Sequence, residues 1–184
     1  MACNSIRGLQ IDACSPNIGG IKSIYLAEWP ENGKAAIITK VESENTTELI
    51  DGSVSGFADG VTWTKYDIRK NTASMTSTIN NSTDGASYVT TELSLVFSKM
   101  EAKKRVAIQA LAIGECIAVV EDSNGEMYFL GADAPLTVTA GGGETGTAKG
   151  DRNAYTLTLT DESLGLPFTL DETAKNKVKN ITAE

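Results

Sequence analysis

Residues 135–160, PLTVTAGGGETGTAKGDRNAYTLTLT, constrain the fold of this chain more than any other stretch. Threonine alternates with Leu, Val or Tyr across Leu136–Thr139 and Tyr155–Thr160. A period of two marks strands with one face on a core and the other in water. Between them lies a Gly-rich loop of more than ten residues. The same texture recurs along the chain, and only one segment reads convincingly as a helix. The sequence therefore predicts a mainly β fold: an antiparallel β-barrel or sandwich flanked by one α-helix at about 98–113, with a long protruding hairpin.

An N-terminal arm, 1–20, ends at Gly19-Gly20. Ile21–Trp29 reads as a first strand and Ala35–Val41 as its antiparallel partner, joined through Glu31-Asn32-Gly33. Gly52–Gly56 reads as a connection to a strand at Val61–Ile68. Trp63 and Tyr66 have opposite parity there, which implies a bulge or contacts on both faces. Arg69–Tyr88 is polar and rich in Ser, Thr and Asn. It reads either as a loop or as an extended hairpin pairing Ala73–Ile79 with Tyr88–Phe97. The hairpin is favoured, because loops of that length are uncommon inside compact domains. Its apolar stripe, Met75 and Ile79, is too thin to hold a lone two-stranded ribbon, so a neighbour is expected to cover it.

Ser98 and Glu101 have the spacing of a capping box, and Gly114 that of a helix stop. Met100, Val106, Ala107, Ala110, Leu111 and Ile113 then form an apolar stripe, expected to lie on a sheet as a core helix. Cys116–Asp122 and Glu126–Leu130, around Ser123-Asn124-Gly125, give the strongest hairpin signal. Phe168–Leu170 reads as a closing strand after Pro167, and 172–184 as a flexible charged tail. With no internal repeat and no shift of composition, 1–184 reads as a single domain.

Chemistry is harder to find. The chain has no His, which removes Ser-His-Asp and Cys-His centres. The three cysteines, Cys3, Cys14 and Cys116, have neither metal-site spacing nor the count of a disulfide framework. Gly141–Gly146 fits GxGxxG, but a strand pattern follows where a phosphate-binding helix is required. Thr147-Ala148 stand where a phosphate-binding loop needs Lys and Ser or Thr. Asp122–Gly125 resembles the start of a calcium loop, but its later positions are wrong, so a turn is expected. Asp151-Arg152 reads as a solvated turn, with an inter-subunit ion pair as the alternative. Carboxylate pairs abound among the 24 acidic residues, yet none is singled out. No cofactor and no metal are expected. A net charge of −8 argues against gripping nucleic acid. No apolar run is long enough to span a bilayer, and the first twenty residues do not read as a signal peptide, so folding in a cytoplasm is expected.

Taken in order, these elements resemble the tail tube proteins of tailed bacteriophages: an N-terminal arm, a strand pair, a long polar hairpin, one helix between strands and a terminal hairpin. Thr90–Leu170 carries most of the resemblance, above all SKMEAKKRVAIQALAIG leading into CIAVVEDSNGEMYFLG, and then GETGTAKGDRNAYTLTLTDES. The resemblance implies a structural virion protein, not an enzyme, whose partners are copies of itself and other virion proteins. Copies would form hexameric rings that stack into a tube through which DNA passes. The 69–88 hairpin would pack on the adjacent subunit, and the arm and Gly-rich loop would meet the next ring. Six copies would carry a formal charge of −48, keeping DNA from adhering. Trp63, Tyr66, Met75, Ile79 and Tyr88 are the candidate subunit contacts, with ordinary core packing as the competing role. The alternatives are another virion component (a neck or head-completion ring, a capsid decoration or a head fibre), a β-sandwich binding module, or a small carboxylate-pair hydrolase.

Overall fold

A computed structural model describes residues 17–30, 36–40, 52–66, 68–69, 71–83 and 85–181. Most of the N-terminal arm with Cys3 and Cys14, and the turn expected at Glu31–Gly33, lie outside the described residues. The described strands are β1 (Ile21–Glu28), β2 (Ala36–Lys40), β3 (Gly52–Phe57), β4 (Thr64–Tyr66), β5 (Ala73–Asn81) and β6 (Ser87–Ser98). After helix α1 (Ala102–Ile113) come β7 (Cys116–Asp122), β8 (Met127–Leu130), β9 (Thr137–Glu144), β10 (Ala154–Ser163) and β11 (Phe168–Leu170). Helix α2 (Glu172–Lys179) closes the described chain. The fold is mainly β, as expected: a curled, half-barrel sheet and a second sheet arranged like a sandwich.

The curled sheet has the order β2-β3-β11-β8-β7-β1-β4, and the second the order β5-β6-β10-β9. Inside the curled sheet, between β8 and β1, β7 is buried from Cys116 through Glu121, on both faces rather than one. Cys116, Ala118 and Val120 face Leu93, Leu95, Leu157 and Leu159 of the second sheet. Ile117 and Val119 face the opposite way, into a cluster with Phe57, Trp63, Phe129, Leu170, Ala174 and Val178. A strand sandwiched between two clusters reads as a continuous apolar run, and CIAVV has that composition.

Several expectations are corrected. Ala36–Lys40 does not pair with β1; it pairs with β3, the segment expected to be a connection. β1 pairs instead with β7 and β4; it is buried from Ser23 through Ala27, as its partner β7 is from Cys116 through Glu121, which suits an interior strand. The strand around Trp63 is short, Thr64–Tyr66, but both of its faces are contacted: Trp63 joins one cluster and Tyr66 packs on the other. The capping box does not form. Ser98 ends β6, Lys99 takes φ +68°, and Glu101 caps α1 without a side-chain hydrogen bond. Glu101 is held instead by Lys99 and Lys104.

Nor is α1 a core helix. None of its residues is buried, and Val106 and Ile113 are 60% and 89% exposed. The expected flexible tail is largely helical. The Asp171 carboxylate accepts from the Ala174 amide, and Ala174 and Val178, one turn apart, are buried in the core.

The Gly-rich loop is shorter than expected, because β9 continues through Gly141–Gly143 and pairs with Leu157–Tyr155 of β10. A Cβ on Gly143 would lie 2.9 Å from the Tyr155 ring, and one on Gly141 3.3 Å from Leu157. Large side chains on β10 thus lie over the glycines and supply the packing that β9 lacks.

Candidate assembly surface

The hairpin over the polar stretch forms between the expected segments, and its register pairs Ala73 with Leu95, Met75 with Leu93 and Ile79 with Val89. Odd-numbered β5 residues face the core side, and Ser74, Thr76 and Thr78 face outward with Thr90, Glu92 and Ser94 of β6. β10 continues the outward face with Thr156, Thr158, Thr160 and Glu162. None of these outward residues is buried. Neighbouring hydroxyls hydrogen-bond across it, as between Thr139 and Thr160 at 2.8 Å. β5, β6, β9 and β10 contain no Lys or Arg. The outer face of this sheet is therefore mostly hydroxyls with a few carboxylates and no cation, interrupted by Val96 and, near the hairpin tip, Tyr88.

The sheet has two open edges. Among the described residues, β5 pairs only with β6 and β9 only with β10. The Val96 amide donates to the Thr72 carbonyl at 3.0 Å, which makes Thr72 and Val96 a hydrogen-bonded pair. Antiparallel ladders alternate, so Met75, Ser77 and Ile79 turn their own N–H and C=O groups away from β6, toward the edge. Such a row is a template for another strand, and β5 carries no charge to discourage one.

The five candidate contact residues separate. Trp63 is buried against Phe57, rings edge to face at 4.9 Å, which leaves it no surface for a neighbour. Tyr66 is half-buried against Phe97, and burial raises its phenol pKa. Met75 is half-buried on the second cluster. Ile79 and Tyr88 sit near the hairpin tip, 58% and 42% exposed, and these two alone offer apolar surface to another molecule. Sequence periodicity marked all five as apolar on strands but could not tell which cluster would claim them. The exposed helix residues Val106 and Ile113 were missed, because their spacing resembles that of a core stripe.

Other polar features are internal. Asp151 accepts from the Thr147 and Ala148 amides, which holds its carboxyl below the usual range, and Arg152 pairs with Glu144 of the same chain. Asp122 accepts from the Asn124 and Glu126 amides, closing a turn rather than framing an ion. Glu121 is buried; burial works to raise its pKa, but the Lys22 and Ser23 hydrogen bonds outweigh that and hold it low. Burial pushes the Cys116 thiol up to about 11, so it is a poor nucleophile. Asp161 differs from these. It is 2% exposed, accepts from the Gly131 amide, and its Oδ1 has no partner among the described residues. Among the described residues no group of His, Cys, Asp or Glu is arranged to hold a metal. No described helix is long and apolar enough to cross a membrane. Comparisons of the chain with protein-family models, curated proteins and solved structures give no match.

Proposed function

We propose that this protein is a structural virion subunit of a phage tail, whose role is assembly rather than catalysis. Copies join edge to edge, β5 of one beside β9 of the next, into rings that stack as the tube through which DNA passes. The observation that carries this reading is the second sheet: two open edges and an outer face of hydroxyls and carboxylates without a cation.

Open edges are satisfied by pairing, and pairing two unlike edges is heterologous, so the contact repeats until a ring closes. Four strands from each of six copies would make a 24-stranded barrel. With strands ~4.8 Å apart and tilted by ~40°, its backbone would be roughly 50 Å across, wider than a DNA duplex. Its lining would be the cation-free face. Phosphates find there none of the Lys and Arg that bind them, and Val96 and Tyr88 are too few and too far apart to hold successive bases. DNA would slide rather than adhere.

Size-exclusion chromatography and negative-stain microscopy of the purified chain test the reading, together with Ile79→Pro. Proline there removes an edge-facing donor while leaving the β5–β6 hydrogen bonds intact. The wild type is expected to form rings or tubes, and folded Ile79→Pro to remain monomeric. A wild type that stays monomeric at high concentration would refute the proposal.

A further inference from the structure

The two ends of the second sheet are chemically unlike. β10 starts with Ala154 opposite Ser98 and finishes with Ser163 opposite Val89, about 30 Å apart. Beside Ala154 lie the first turn of α1 and the 145–153 loop, tied together where the Lys99 and Met100 amides donate to Asn153. Lys103, Arg105 and Lys149 are exposed at this end and make no ion pair among the described residues. Beside Ser163 lie the hairpin tip and the Gly131–Pro135 segment, the latter anchored where Asp133 accepts from the Leu164 amide. The described residues of 82–89, 131–135 and 161–167 include no Lys or Arg. Glu162 and Asp133 are exposed there without a cation. Leu164 and Leu166, 71% and 57% exposed, stand beside Ile79 and Tyr88 as uncovered apolar surface at the same end.

We infer that these ends are the stacking surfaces between successive rings, the acidic, leucine-bearing end of one copy seating on the basic start of α1 in another. The inference rests on the ring assembly proposed above, since closing the sheet into a barrel makes its strand ends the two rims. Unlike rims stack head to tail without limit, which gives a tube of one polarity. Opposite charges set the direction and speed of docking, and the four apolar side chains supply surface to bury. Like rims, acid on acid, repel.

The test is a charge swap. Lys103→Glu/Arg105→Glu reverses one rim, and Glu162→Lys/Leu164→Lys reverses the other; all four positions are exposed or half-buried, so the fold is retained, as circular dichroism would verify. Each double variant is expected to form rings and lose tubes in negative stain. The chain carrying all four changes is expected to regain tubes, because its rims are again opposite. Wild-type-length tubes from either double variant, or loss of rings along with tubes in a folded double variant, would overturn the inference. So would failure of the fourfold variant to regain tubes. A wild type that forms no rings would contradict the ring assembly itself, a separate result.

Discussion

Asp161 provides a quantitative check on the packing between the sheets. It lies opposite Thr91 on the core side of β10, with one oxygen unpartnered and the Gly131 amide donating to the carboxylate. Burial, reinforced by the nearby charges of Asp133 and Glu162, lifts its pKa from 3.8 to about 6. The folded value is above the unfolded one. Its contribution to stability is therefore fully present below about pH 4 and is lost as the pH rises through about 6. A shift of about two units, at roughly 1.4 kcal/mol each, amounts to about 3 kcal/mol. Asp161→Asn keeps the shape and removes the titration. The difference in unfolding free energy, variant minus wild type, should increase by about 3 kcal/mol between pH 4 and pH 7.5. Urea denaturation across that range measures it, at a protein concentration low enough that assembly adds no stabilisation. A difference that stays constant with pH, or grows toward acid, would refute the reasoning.

Two further variants probe local geometry. Gly131 has φ +90°, and a Cβ there would lie 2.9 Å from both Ile117 and Leu136; Gly131→Ala should cost about 2 kcal/mol or more in urea denaturation, from strain and overpacking. Asp171→Ala removes the acceptor for the Ala174 amide and should cost about 1 kcal/mol, with earlier proteolytic cleavage within α2.

What the sequence made legible was mostly local. The Asn124-Gly125 turn, with Gly125 at φ +92°, announced the β7–β8 hairpin. The polar stretch at 73–97 pointed to pairing of Ala73–Ile79 with Tyr88–Phe97, while the register and the outward hydroxyl face come from the structure. What stayed hidden depended on distant partners. β1 could not be matched to β7 from its own pattern, because Ala36–Lys40 is nearer in sequence and also apolar-rich. The strand character of Gly141–Gly143 comes from Tyr155 and Leu157 across the ladder. In α2, two buried apolar positions among charged residues were too sparse to outweigh a tail-like composition, although Asp171 with Ala174 and Val178 was a readable signal. The Ser98 capping box failed because β6 extends to Ser98 to pair with Ala154, and the longer ladder prevailed. The openness of the β5 and β9 edges is a property of the whole topology, which no local pattern carries.

Hydrogen exchange of the amides in 73–81, compared between dilute monomer and assembled particles, tests edge pairing most directly. The edge-facing amides of Met75, Ser77 and Ile79 should exchange quickly in the monomer and slow by orders of magnitude on assembly, while the α2 amides stay unchanged. Particles in which 73–81 exchange as fast as in the monomer would contradict the account.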